Sequence, residues 1–105
     1  MLDKLAAIHD RFRNLEEQLA DPTVISDMDR FQKTNKEYKK LQPIVEAYLE
    51  YKQLLGNIET AEEMLKDAEM KELASMELEE LRPKQEEMEE EIKIMLIPRD
   101  PEDER

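Results

Sequence analysis

The stretch FQKTNKEYKKLQPIVEAYLEYKQLLGNIETAEEML, residues 31–65, decides the fold. Phe31, Tyr38, Leu41, Val45, Tyr48, Leu55, Ile58 and Leu65 recur in it with a mean step near 3.5 residues. That period belongs to a helix lying along a partner helix rather than to a strand. The spacing predicts one long helix over about 27–66. Pro43 lacks the N–H that would bond the carbonyl of Lys39, which predicts a kink. Gly56-Asn57 is the point of weakest helix propensity, and the helix is expected to continue through it.

Upstream, Leu2, Leu5, Ile8, Phe12, Leu15 and Leu19 form a second helical stripe over about 2–20. Residues 21–27, Asp-Pro-Thr-Val-Ile-Ser-Asp, read as the connection. Pro22 stops the preceding helix and the β-branched run discourages continuation. Ser26 followed by Asp29 fits a capping box for the next helix, with Asp27 and Asp29 serving as cap and first-turn acids. Val24 and Ile25 are expected to tuck against the helices. Downstream, Asp67 is the expected N-cap of a third helix over about 68–97. Its seam is Met70, Leu73 or Ala74, Leu78, Leu81, Met88, Ile92 and Met95, with Gln85 at a seam position beside Pro83. Helices this long cannot be covered by one globular core, so they must share a seam. The expected fold is all-α, an antiparallel coiled-coil-like three-helix bundle with one long kinked central helix. Residues 1–97 form the domain, and 98–105, with two prolines, form a linker or tail.

Composition agrees. Of 105 residues, 42% are charged and 5% aromatic, with one Gly and no Cys or Trp. Disulfide scaffolds, sandwiches and barrels are excluded. The net charge of −12 is uneven: residues 1–52 carry −1 and residues 53–105 carry −11. The acidic half should be repelled by nucleic acid and anionic membranes. Only the first half can face a phosphate backbone. No signal peptide or membrane-length apolar run is present, so cytoplasm is the expected location.

The residues offer little reaction chemistry. His9 is the only histidine, and a Glu-x-x-His metal pair would need Glu at position 6, which is Ala6. Asp27-Met28-Asp29 resembles the opening of a calcium loop, but Gln32 and Tyr38 stand where Gly and Glu are needed. Glutamates 86, 87, 89, 90 and 91 read as a solvated helix face, with no pocket or nucleophile beside them. Tyr38, Tyr48 and Tyr51 could serve as stacking platforms, but Tyr38 and Tyr48 fall on the seam and read as core. The seven methionines suit adaptable packing. No catalytic, cofactor-binding or metal-binding residue is expected, and no cofactor. The one functional pattern is cationic: Arg30, Lys33, Lys36, Lys39 and Lys40 place several positive charges along one helical face, a candidate contact for RNA phosphates. Glu37 and Glu46 could balance part of it.

Several longer motifs carry a resemblance. Met-Leu-Asp-Lys-Leu at the start, Leu19-Ala-Asp-Pro-Thr-Val-Ile-Ser-Asp27, Arg30-Phe31, Lys36-Glu-Tyr38 and Leu41-Gln-Pro-Ile-Val-Glu-Ala-Tyr48 occur in order. Tyr51-Lys52, Leu54-Leu55, Glu69-Met-Lys-Glu-Leu-Ala74 and Leu96-Ile-Pro-Arg-Asp-Pro101 follow. Together they resemble the N-terminal domain of the bacterial class I peptide chain release factors, in the branch that reads UAA and UAG. Ala68 stands where that family often has Pro, a change that leaves Asp67 able to cap. The resemblance implies a fragment of a termination factor. The family's Gly-Gly-Gln and codon-reading Pro-x-Thr motifs lie downstream, and neither occurs here, so no catalytic or codon-reading residue carries over. It also implies a non-enzymatic docking role at the stalk base of the large ribosomal subunit. The implied partners are rRNA, ribosomal protein eleven and the recycling GTPase, and no membrane is involved. An exposed seam could pair two copies in a crystal. The competing reading is an autonomous acidic coiled-coil adaptor or chaperone-like protein.

Overall fold

The computed structural model describes residues 1–98, so the expected tail lies outside the described residues from Arg99 onward. The described chain contains helices and turns and no strand. The order is α1 (Leu2–Leu19), α2 (Pro22–Ile25), α3 (Met28–Met64) and α4 (Lys71–Met95). Two compact units divide it, one spanning Met1–Tyr48 and the other running from Leu49 onward. The division falls inside α3, which is continuous through both Pro43 and Gly56.

In the first unit α1 runs antiparallel to the first half of α3. Phe12 stacks on Tyr38 with ring centroids 4.5 Å apart, while His9, earlier in α1, meets Tyr48, later in α3, edge-on at 5.7 Å. Leu5, Phe12, Leu15, Val45 and Tyr48 are buried, as the stripe predicts. Leu2, at the frayed start of α1, is 45% exposed.

The connection contains a helical turn that the sequence reading treated as a stop. Pro22 occupies the first position of α2, where its missing N–H costs nothing and its fixed φ favours the helix. The Asp21 carboxylate caps the turn, accepting the Thr23 N–H at 2.9 Å and the Thr23 hydroxyl at 2.8 Å. Those two bonds hold its pKa below the usual carboxylate value, and the nearby Arg30 charge adds to the effect. The turn buries Val24 but leaves Ile25 53% exposed, because adjacent positions of one turn cannot face the same way.

Asp27 caps α3. Its carbonyl accepts the Phe31 N–H at 2.9 Å, and its side chain accepts the Arg30 N–H at 3.3 Å. Ser26 does not serve as the cap, since its hydroxyl donates back to the Thr23 carbonyl.

In the second unit α4 runs antiparallel to the rest of α3. The Tyr51 hydroxyl reaches Glu89, and Arg82 reaches Glu62, so rising numbers on one helix meet falling numbers on the other. Leu54, Ile58, Ala61 and Leu78 form the core, with Leu65, Leu81 and Met88 packed against it. The buried side chains of α3 are Val45 and Tyr48 in the first unit and Tyr51, Leu54, Ile58 and Ala61 in the second. The expected seven-residue jump from Tyr48 to Leu55 is therefore replaced by steps of three through Tyr51 and Leu54, and Leu55 lies half-buried. Burial of Tyr51 is made tolerable by a partner for its hydroxyl, which donates to Glu89 at 2.6 Å. Gln85, at the seam beside Pro83, donates to the same carboxylate at 3.2 Å.

Asp67 organises the turn between α3 and α4 instead of capping α4. Its carboxylate accepts the Glu69 N–H at 3.0 Å and its carbonyl accepts the Met70 N–H at 3.1 Å. Regular helix then begins at Lys71, with Met70 as N-cap. Of the alternatives Leu73 and Ala74, Ala74 faces inward with no exposure, and Leu73 is 49% exposed. Met70 and Met95, at the two ends of α4, are exposed as well.

The Tyr51 phenol gives a test of this packing. Burial first, and then the bond to Glu89, raise its pKa above the ordinary 10.0. A raised pKa means the fold favours the neutral phenol. That contribution is fully present below pH ~10 and is lost as pH rises through the folded-state value. Tyr51→Phe should cost about 1 kcal/mol at neutral pH. It should also flatten the fall of thermal midpoint as pH rises above ~10, measured by circular dichroism.

Candidate nucleic-acid interface

Arg30, Lys33, Lys36, Lys39 and Lys40 are all exposed on the first four turns of α3. The cap at Asp27 starts the helix three residues before Arg30, and Phe31, Tyr38 and Val45 anchor the opposite side through the core. At 3.6 residues per turn, each step of three rotates a side chain backwards by about 60°. Lys33, Lys36 and Lys40 therefore share an arc of about 60°. Arg30 lies about 60° beyond one edge of that arc and Lys39 about 60° beyond the other. The five cations wrap half the helix, and only the middle three form a stripe.

Their surroundings separate them further. Arg30 faces Asp21, whose pKa its charge helps to lower. Glu37, the expected counterweight to the lysines, is held elsewhere. Arg11 of α1 grips it with two parallel bonds, Nε to Oε2 at 2.8 Å and Nη2 to Oε1 at 2.9 Å. The Arg11 bond is the main reason the Glu37 pKa lies below its usual value, with smaller help from the Arg11 and Lys40 charges. The guanidinium in turn is raised by that bond. Such a fork is the favoured geometry between Arg and carboxylate. Among the described residues no ion pair within 4.0 Å engages Lys33, Lys36 or Lys39. The result is a positively charged strip from Lys33 to Lys40, about 10 Å long, able to meet phosphates. Nothing local in the sequence announces the Arg11–Glu37 fork, because its partners are 26 residues apart.

The acidic run of α4 behaves differently. Glu89 is half-buried against Tyr51 and Gln85, Glu90 lies 3.7 Å from Lys93, and Glu86, Glu87 and Glu91 are exposed. Among the described residues no three His, Cys, Asp or Glu side chains converge as a metal site. No described helix is long and apolar enough to cross a membrane.

Comparison with known proteins gives the family. The PCRF domain matches residues 8–105. Peptide chain release factor 1 of Geobacter metallireducens is 48% identical over 105 residues, covering 100% of this chain and 30% of that protein. Peptide chain release factor 1 of Streptococcus agalactiae serotype Ia is 46% identical over 107 residues, and that of Cytophaga hutchinsonii is 46% identical over 106. Each alignment covers 98% of this chain and 30% of the relative. The chain thus spans under a third of the length of the curated relatives it matches. With the PCRF domain matching residues 8–105 and release factor 1 sequences 46–48% identical along nearly the whole chain, this protein belongs to the PCRF domain family.

Proposed function

We propose that this chain is the N-terminal interaction domain of a translation termination factor directing termination at UAA and UAG. Residues 1–97 form the domain, and 98–105 lead toward downstream domains. The observation that carries the reading is the 48% identity to a peptide chain release factor 1 across all 105 residues. Its task is to dock and orient the factor on the ribosome in the cytoplasm. Bond cleavage and codon reading belong to other parts of the factor. A chain with a single glycine contains no Gly-Gly-Gln sequence, so hydrolysis of peptidyl-tRNA has no such motif to use here.

The Lys33–Lys40 strip is the surface that fits rRNA at the large-subunit stalk base, with ribosomal protein beside it and the recycling GTPase as a further partner. Its support is physical: exposed cations along one helix, with the Glu37 carboxylate among them held by Arg11. The chain alone should release no peptide from ribosomes stopped at UAA. In excess it should shield stalk-base nucleotides from hydroxyl radicals. Stop-codon-dependent release by these 105 residues would overturn the division of labour, and an unchanged footprint would overturn the docking role.

A further inference from the structure

The second unit carries an open groove of about 510 Å³ between α3 and α4. Leu49, Leu54, Leu81 and Met88 line it, with Glu50 and Lys84 among its polar lining. Leu54 belongs to the core, but Leu49 is 47% exposed. The lining runs from residue 49 to 57 on α3 and from 81 to 88 on α4. Each stretch is about two helical turns, 10–12 Å. That length equals the reach of side chains at i, i+3 or i+4, and i+7 on a third helix.

Charge selects the occupant. Helix α4 holds nine Glu against four Lys or Arg. Two of those cations are already committed, Arg82 to Glu62 and Lys93 to Glu90. Glu77, Leu81, Lys84, Met88 and Glu91 follow one another at steps of four and three, so acids flank the apolar positions on one strip. Two copies paired groove to groove would bring these flanking acids against their own kind, in chains of net charge −12. Nucleic acid and anionic lipid meet the same repulsion.

We propose that this α3–α4 groove docks a basic amphipathic helix from a partner protein. The partner's apolar stripe sits on Leu49, Leu54, Leu81 and Met88, and its Lys or Arg residues meet the α4 glutamates. The surface is separate from the lysine strip, so either assignment can fail without the other.

The test titrates the ¹⁵N-labelled 105-residue chain with a 14-residue Leu/Lys peptide patterned at i, i+3, i+4 and i+7. A scramble of the same composition is the control. The patterned peptide should shift the amides of Leu49, Gln53, Leu81 and Lys84, and the scramble should bind about tenfold or more weakly. Gln53→Lys with Glu91→Lys, both at exposed positions, should weaken the patterned peptide by about tenfold or more while the circular dichroism stays unchanged. Equal binding by the scramble, shifts confined to other surfaces, or no effect of the double variant would overturn the proposal. So would a free chain that sediments as a dimer and becomes monomeric in the double variant, since the occupant would then be a second copy.

Discussion

Ile92→Ala should lower the unfolding free energy by about 2–5 kcal/mol. Ile92 is 1% exposed and among the largest fully buried side chains. Truncation therefore removes its transfer free energy and leaves a void that close-packed neighbours fill only in part. For a chain of this size the thermal midpoint should drop by about 10 °C or more. The matched control is Leu73→Ala, which deletes a similar volume from a side chain that is 49% exposed. It should cost under about 1 kcal/mol. Urea melts of both variants measure the contrast. Equal costs would mean that α4 presents a different face to the core. Substitution of Tyr48 by Asp, which places a charge at a position only 7% exposed, belongs with the severe class for a different reason, uncompensated desolvation.

Charge reversal of Lys33, Lys36 and Lys40 to Glu should abolish most binding of the chain to stalk-base rRNA while leaving helicity intact. Each cation that neutralises a phosphate releases condensed counterions, so affinity falls with salt by a slope of about 0.7–0.9 per contact. Losing three contacts should flatten the slope by about 2–3 and weaken binding by about two orders of magnitude or more at low salt. Lys71→Glu, on the second unit, is the control and should leave the slope unchanged. Filter binding across a salt series reads both numbers. A wild-type slope in the triple variant would show that other groups make the phosphate contacts. Arg30 and Lys39, on the flanks of the arc, should each contribute less than the central three.

How much of this was legible follows from where each signal resides. The helical class, the long α3 and most core positions are written in local periodicity, which Leu5, Leu15, Val45, Ile58, Leu78 and Ile92 obey. Pro22 ends α1 as local propensity requires, but propensity did not announce that the same residue opens α2 when an Asp stands before it to cap the turn. Heptad counting missed Tyr51, since its burial depends on Glu89, 38 residues away. Asp67 was assigned to the wrong job for a similar reason: an Asp two residues before a free N–H can make a tight turn as readily as a cap. The basic residues were visible as a cluster. The fork between Arg11 and Glu37, which ties the Glu37 carboxylate to α1, is a tertiary fact and could not be read from spacing. The family likeness was written in whole motifs rather than in chemistry, and a wholly helical chain with no reactive cluster could have declared itself in no other way.

Gly56 has a practical use. It sits in the interior of α3, eight residues before its end, and a β-carbon added there would meet nothing within 4 Å. The chain contains no cysteine. A thiol introduced at that one position would be the sole target for a maleimide fluorophore, on a β-carbon that meets no neighbour. Replacing glycine inside a helix also removes backbone freedom from the unfolded chain, so the labelled molecule should hold its shape at least as firmly as the parent.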